Sequence, residues 1–159
     1  TPKPSSAASD VYKRQSPYYA DLVKFDGNCD RLQHYEMCIP AVALNKSIYT
    51  PEGTGGQGKA YVDKTYINIS YNFMTPLDED NTRYFWFQHR NTDPQDKDIS
   101  AKMNDGALMA FLEDKGILED VHLGMKNPST PNIDLGLDSG AKQFRLALKR
   151  KIEEEQDNS

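Results

Sequence analysis

The chain has 159 residues, which is enough for one domain with a sizeable core and too few for two. Its 19 Lys and Arg against 24 Asp and Glu leave a net charge of −5, so the composition offers no basic face for nucleic acid or an anionic membrane. Without a run of about 18 apolar residues the sequence predicts no transmembrane helix, and Cys29 and Cys38 fit no zinc or CxxC spacing, which favours two reduced thiols in a cytoplasmic protein.

The first fifteen residues differ in character from the rest of the chain. Residues 1–9 are rich in Ser, Ala and Pro, and they lack the apolar segment of a signal peptide. Residues 10–15 resemble the translated end of a transposon used to prepare sequencing libraries from environmental DNA; a basic linker or a cleavable tail is the alternative. We therefore expect residues 1–15 to be a non-native, disordered leader, and the native chain to begin near Ser16 with its N-terminal part missing.

The first half of the chain predicts strands. Residues 32–49 have strand character with Pro40 inside it, as in an edge strand or a bulged pair. Strict alternation predicts a strand over residues 61–74, and the aromatic segment 83–91 predicts the next one. The polar segment 75–82 would join these two strands as an antiparallel hairpin.

A symmetric loop at residues 75–82 would place amides and aromatic rings on the same face of the sheet. The side chains concerned are Asn68, Ser70, Asn72, Phe85, Phe87 and His89. Such a face suits a pocket for an aromatic ligand, and it suits a solvated sheet face equally well. The sequence leaves both alternatives open.

A glycine-rich segment, residues 53–60, comes within one residue of a phosphate-binding loop. Ala60 lacks the hydroxyl that would bind magnesium, and a predicted strand follows in place of a helix, so no helix N-terminus faces a phosphate. We interpret the segment as a hairpin loop and not as a nucleotide site.

After the second aromatic strand the hydrophobic period changes from two to 3.6. The new period predicts a helix over residues 99–122, ended by Gly124 and the pair Asn127-Pro128. A last helix is predicted from the cap Asp138-Ser139 to about Glu155. Strands followed by helices indicate an α+β fold, with the helices packed on an antiparallel sheet.

Asp114 is the most informative residue of the long predicted helix. At about 100° per residue it lies at the centre of an apolar stripe. The other members of the stripe are Met103, Ala107, Ala110, Ile117, Leu118 and Val121. A carboxylate in a core is costly unless a cation compensates its charge. The cation could be an arginine in a buried ion pair (Arg83, Arg90 or Arg145) or a bound metal, and periodicity alone leaves both open.

Two blocks of sequence point to a known family. The first is Thr75-Pro76-x-x-Glu79-x-x-Thr82-x-Tyr84-Phe85-Trp86 with Arg90-Asn91, and the second is Ala110-Phe111-x-Glu113-Asp114-Lys115-x-x-Leu118-Glu119. In this order and spacing, followed by the capped last helix, they resemble Rieske non-haem iron oxygenases over residues 25–155. The nearest branch is the vanillate and dicamba O-demethylase oxygenase type.

The resemblance implies a fold and two site residues. The fold is a partial helix-grip (START-like) domain, in which an antiparallel sheet surrounds a long helix, and residues 16–159 would be the C-terminal part of that catalytic domain. Asp114 would be the carboxylate ligand of a mononuclear Fe(II), whose two histidine ligands would precede this chain. Asn72, three residues before Thr75, would bind substrate.

The parent protein implied by the resemblance is an oxygenase α-subunit. It would use O₂ to demethylate or hydroxylate an aromatic small molecule, with electrons passing from a reductase component through a [2Fe–2S] Rieske cluster. The cluster's C-x-H and C-x-x-H pairs are not in this sequence, so we expect the chain alone to be inactive. By family analogy the subunit forms a homo-oligomer, a trimer. The alternative is a non-catalytic START-like ligand-binding module with Asp114 in a buried ion pair.

Overall fold

The chain folds as two compact units, residues 1–102 and 103–159. The computed structural model describes residues 22–25, 27–56, 64–127, 129, 133 and 135–158. The first unit contains an antiparallel sheet and the start of a long helix, and the second contains the rest of that helix and a second one. The predicted leader and Ala60 lie outside the described residues, as does the start of the strand predicted over residues 61–74.

The sheet has four strands that lie side by side in chain order, each antiparallel to the next. The strands are β1 (Cys29–Cys38), β2 (Val42–Pro51), β3 (Tyr66–Pro76) and β4 (Thr82–Arg90). The predicted hairpin of β3 and β4 is confirmed. Pro40 lies in the turn between β1 and β2, after a cis peptide bond. The segment predicted as an edge strand or a bulged pair is thus an antiparallel pair of strands joined at this turn. A proline, which has no N–H to donate, is accommodated in that turn.

Two helices follow the sheet, as predicted. Helix α1 spans Lys97–Met125 and helix α2 spans Ser139–Asp157. Strands followed by helices confirm the α+β class, whereas the helix-grip arrangement of the parts stays a prediction. Among the described residues, no helix is long and apolar enough to cross a membrane.

The two helices begin differently. Oδ1 of Asp96 accepts hydrogen bonds from the backbone N–H groups of Asp98 and Ile99, at 2.9 and 3.1 Å, and so caps α1. Asp138 stands at the predicted N-cap of α2, but its carboxylate accepts from the backbone N–H of Leu135, which precedes it. The predicted side-chain cap of α2 is therefore wrong, because a 3₁₀ turn before the helix uses that carboxylate.

Arg90 connects the end of β4 to the start of α1. Its Nε donates to the carbonyl oxygen of Thr92 at 2.9 Å, and its Nη2 donates to the carbonyl oxygens of Asp93 (3.1 Å) and Asp96 (2.7 Å). Nη2 also lies 2.9 Å from Oγ of Ser100 in the first turn of α1. The planar guanidinium, with several donors in fixed directions, suits this set of oxygens. One side chain therefore contacts both the connection and the first turn of α1.

The loop after β2 requires glycine at position 56. Gly53, Gly55 and Gly56 all have positive φ, but of these three only Gly56 approaches another strand closely. A Cβ at Gly56 would lie 2.6 Å from Cβ of Leu32. The backbone N–H of Gly55 donates to a carboxylate oxygen of Asp30 at 2.6 Å. A carboxylate of the chain itself thus occupies a donor that a phosphate would need, which supports the interpretation as a hairpin loop.

Arg90→Lys should lower the free energy of unfolding by about 2 kcal/mol, because an ammonium group cannot reach the same four oxygens. Arg83→Lys is the matched control, since Arg83 is exposed on the same strand, and it should change stability by less than about 0.5 kcal/mol. Urea denaturation followed by the fluorescence of Trp86, the single tryptophan, measures both variants. Equal stability of Arg90→Lys and the wild type would contradict the role assigned to this arginine.

Gly56→Ala should destabilise the fold by at least about 1 kcal/mol more than Gly53→Ala does. Both substitutions put a Cβ on a backbone with positive φ, which costs about 1–2 kcal/mol. Only Gly56→Ala also forces the backbone away from Leu32. Urea denaturation of the two variants measures the difference. Equal losses in the free energy of unfolding would show that the backbone moves away from Leu32 with no change in stability.

The cap of α1 should make stability depend on pH. The hydrogen bond from the backbone N–H of Ile99 is the largest cause that lowers the pKa of Asp96. A carboxylate with a lowered pKa stabilises the folded chain above its unfolded pKa of about 3.9 and loses this effect as the pH falls through the folded value. The thermal midpoint of the wild type should exceed that of Asp96→Asn at about pH 7, and the difference should disappear on strong acidification. Asp105→Asn, at an exposed position within α1, is the control and should leave the thermal midpoint at about pH 7 unchanged.

Candidate ligand-binding face and metal ligand

The strand registers determine which side chains share a face of the sheet. In the pairing of β3 with β4, Tyr71 lies opposite Phe87 and Asn72 lies opposite Trp86. Directly opposed residues point to the same side, so the predicted combination of these amides with Phe85, Phe87 and His89 on one face is wrong. Its members separate into Asn68, Ser70 and Asn72 on one face and Phe85, Phe87 and His89 on the other.

The loop between β3 and β4 explains this correction. The prediction places Thr82 opposite Thr75, but in the structure Thr82 pairs with Pro76 across a loop of five residues, 77–81. Within the loop, Oδ1 of Asp78 accepts two backbone N–H groups at 2.9 and 2.8 Å. A change of register by one residue moves every side chain of a strand to the opposite face.

One face of the sheet, which we call the aromatic face, carries a cluster of rings. Phe87 stacks on Tyr71 with ring centroids 4.8 Å apart and on Phe73 at 5.6 Å. His89 contacts Tyr71 and Phe87 at 5.5 and 5.1 Å. His89 therefore packs among rings, and the described residues contain no group of three His, Cys, Asp or Glu that could hold a metal.

The opposite face, which we call the polar face, carries amide and serine side chains together with the rings of Tyr49, Tyr84 and Trp86. The amide and serine side chains are those of Gln33, Asn45, Ser47, Asn68, Ser70, Asn72 and Gln88. Ser47, Asn68 and Ser70 at its centre are buried. Gln33 Nε2 donates to Ser47 Oγ at 3.3 Å. Burial of polar groups is costly unless they are hydrogen-bonded, so each of them needs a partner.

Two carboxamide oxygens of the polar face accept no hydrogen bond from any described residue. They are Oδ1 of Asn45, on β2, and Oδ1 of Asn68, on β3. An enclosed acceptor without a donor costs about 1–3 kcal/mol. Asn45 was not predicted as a site residue, because its position relative to Asn68 depends on the register of β2 with β3.

Asn72 lies on the polar face and is half-buried. Its Oδ1 accepts a hydrogen bond from the hydroxyl of Tyr84 at 2.7 Å, and its Nδ2 lies 3.4 Å from the carbonyl oxygen of Ala43. Both ends of the carboxamide are thus in contact with the protein. The substrate-binding role of Asn72 stays a prediction.

Asp114 lies in the middle of α1, in the second unit, and it is exposed. The apolar stripe around it is buried at its first members, Met103 and Ala107, whereas Ile117 and Leu118 are 64% and 65% exposed. The expectation of a buried stripe is therefore met only near the start of α1. Because Asp114 is exposed, it does not form the buried ion pair that was one of the two alternatives. Arg90, one candidate partner, binds the loop before α1.

Sequence similarity connects the chain to bacterial oxygenase subunits. Residues 6–154 match the vanillate O-demethylase oxygenase C-terminal domain. The chain is 28% identical over 141 residues to a putative toluene-4-sulfonate monooxygenase system iron-sulfur subunit of Comamonas testosteroni, covering 88% of this chain and 41% of that protein. It is 28% identical over 127 residues to a vanillate O-demethylase oxygenase subunit of Pseudomonas sp. (strain ATCC 19151), covering 79% and 38%.

The matches cover only part of each curated relative. The chain spans about two fifths of the length of the curated relatives it matches. The family match begins at residue 6, inside the segment 1–15 predicted to be non-native, and that prediction stays untested. No solved structure matches the chain significantly.

Proposed function

The chain belongs to the vanillate O-demethylase oxygenase C-terminal domain family, and from this premise we propose that it is the C-terminal part of the catalytic domain of a Rieske-type aromatic oxygenase. The match over residues 6–154 is the observation that carries the proposal. It includes both sequence blocks of the resemblance, residues 75–91 and 110–119, and the resemblance to this family is thereby confirmed.

The proposed reaction is O-demethylation or hydroxylation of an aromatic small molecule with O₂. The names of the relatives support an oxygenase of aromatic compounds, and one of them is named as an iron-sulfur subunit. Electrons would come from a reductase component through a [2Fe–2S] Rieske cluster outside the described residues. We place the enzyme in the cytoplasm and, by family analogy, in a homotrimer.

Cys29 and Cys38 stand at opposite ends of β1, about 30 Å apart, and cannot form a disulfide with each other.

We assign Asp114 as the carboxylate ligand of a mononuclear Fe(II). Two histidines and one carboxylate hold iron on one side and leave open positions, and iron bound in this way supplies the activation of O₂. Asp114 is exposed, so its carboxylate is accessible to a metal ion, and the neighbouring Lys115 forms a salt bridge with Glu119 at 3.0 Å. No three potential ligands come together among the described residues, so the two histidines would come from elsewhere.

Asn72 and Tyr84 form the proposed substrate contact on the polar face. The hydroxyl of Tyr84 donates to Asn72 at 2.7 Å, which holds the carboxamide in one orientation. Trp86 lies directly opposite Asn72 and offers an aromatic surface on the same face. A ring bound against Trp86 would therefore meet the Asn72–Tyr84 pair at its edge.

Asp114→Asn tests the proposal in an oxygenase subunit that carries this chain, either natural or a chimera in which residues 16–159 replace the matched segment of the Pseudomonas vanillate O-demethylase oxygenase subunit. The substitution keeps the volume and removes the anionic oxygen that Fe(II) prefers. Mononuclear iron per folded subunit and the rate of turnover should each fall by more than about tenfold. The iron–sulfur spectrum and the thermal midpoint should not change.

Glu113→Gln is the matched control, because Glu113 is the neighbouring exposed carboxylate, and it should keep both iron and turnover. A lower thermal midpoint with unchanged iron would favour the alternative, a ligand-binding module with Asp114 in a structural ion pair. An Asp114→Asn subunit that is folded, iron-replete and active would refute the assignment.

A further inference from the structure

The aromatic face of the sheet is open to solvent although its side chains are apolar. Phe85 and Phe87 are 54% and 42% exposed, whereas Ser47 and Asn68 at the centre of the polar face are buried. The open patch forms two rows across β2, β3 and β4, namely Val42–Phe73–Phe85 and Leu44–Tyr71–Phe87. A contiguous apolar patch on a soluble protein marks a surface that another surface covers.

Helix α2 carries a second open surface, an apolar stripe that ends in an acidic residue. At about 100° per residue, Phe144, Ile152 and Glu155 lie within about 40° of Leu148. Phe144 and Leu148 are half-buried, and Ile152 is 47% exposed. We call these four residues the α2 stripe. Because the α2 stripe and the aromatic face are both open within one chain, a second copy of the chain can bring them together.

The spacing of the α2 stripe matches the spacing of the rows on the aromatic face. Val42, Leu44 and Lys46 follow one another on the same face of β2, at intervals of about 7 Å. Leu148 and Ile152 are separated by about 6 Å along α2. A helix laid along β2 therefore puts Leu148 over the row of Val42 and Ile152 over the row of Leu44.

The charges of the two surfaces are complementary in this placement. Lys46 and Arg83 lie on either side of the two apolar rows, and Glu36 lies at the edge strand β1. Glu155 comes over Lys46, so that unlike charges meet. Phe144 comes within reach of Arg83, whose guanidinium can stack on the ring. The apolar centre and the charged ends of the α2 stripe thus each meet a suitable partner.

The exposed stripe of α1 is the other apolar surface of the described residues. It surrounds Asp114, which the proposed function assigns to iron. That side of α1 must accommodate the two histidine ligands from elsewhere in the parent protein. The proposed function makes no such use of α2, so the α2 stripe is the one available to a second copy.

We propose that the aromatic face of one copy binds the α2 stripe of the next copy. Each copy contributes a different surface to the contact, so the contact is heterologous and repeats from copy to copy until a ring closes. The homotrimer of the proposed function is such a ring. The number of three copies rests on the proposed function, whereas the contact itself does not.

The test places a charge in each of the two surfaces. Phe85→Asp disables the aromatic face and Ile152→Asp disables the α2 stripe. By analytical ultracentrifugation the wild-type 159-residue chain should sediment as a ring of three, and each variant alone should sediment as a monomer. An equimolar mixture of the variants should form a 1:1 dimer, because one variant keeps the stripe and the other keeps the face. A misfolded variant could not restore the contact in this way.

Two control variants place the same charge outside the contact. Tyr35→Asp changes a ring that is 72% exposed on the opposite side of the sheet, and Leu137→Asp changes a leucine that is 95% exposed before α2. Both should leave the ring of three intact.

A charge exchange tests the register of the contact. Lys46→Glu and Glu155→Lys should each raise the dissociation constant about three- to fivefold, which is typical of an exposed ion pair. The two substitutions in one chain should restore the wild-type value, since the charges then meet in reversed order.

A monomeric wild-type chain, particles of no fixed size, or a mixture of Phe85→Asp and Ile152→Asp that stays monomeric would each overturn the inference. A ring that survives either substitution would also overturn it. A ring of another number, with a restored dimer in the mixture, would support the contact and refute the homotrimer. These measurements need neither iron nor turnover, so their failure leaves the outcome of Asp114→Asn unaffected.

Discussion

Side chains alternate along every strand of this sheet, and the pairing of Pro76 with Thr82 sets which positions of β3 and β4 meet. This register stacks Phe87 of β4 on Tyr71 and Phe73 of β3, and it puts Tyr84 and Trp86 on the face of Asn72. A shift of one residue would move Phe85 and Phe87 to the face of Asn72 and would move Trp86 to the opposite face. The proposed contact of Asn72 with Tyr84 and Trp86 therefore depends on the loop of five residues, 77–81.

The secondary structure could be predicted from the sequence because hydrophobic period is a local property. The alternation along β3 and the change to a helical period after β4 were sufficient for the α+β class and for both helices. The register could not be predicted in this way, since alternation is the same for every pairing. It depends on whether the loop contains an odd or an even number of residues, and in the structure a loop of five residues is held by the hydrogen bonds of Asp78.

The candidate site could be predicted only where a motif identifies a residue. Asp114 belongs to a sequence block of the family, but its exposure was not predictable, because an apolar stripe indicates burial only where other residues cover it. Ile117, in the same stripe, is 64% exposed. Asn45 was missed because an asparagine in a strand is unremarkable by itself. Its significance comes from its position relative to Asn68, which only the paired strands show.

Three of the four acceptors of Arg90 are main-chain carbonyl oxygens, those of Thr92, Asp93 and Asp96. Every amino acid supplies a carbonyl oxygen, so evolution can replace the side chains of this connection without losing the contacts of the arginine. The number of residues is constrained, because one insertion would move the carbonyl oxygens away from a planar, rigid guanidinium. Among related proteins, the length of this connection should therefore vary less than its composition outside Thr92 and the cap residue Asp96, whereas surface loops in general tolerate insertions and deletions.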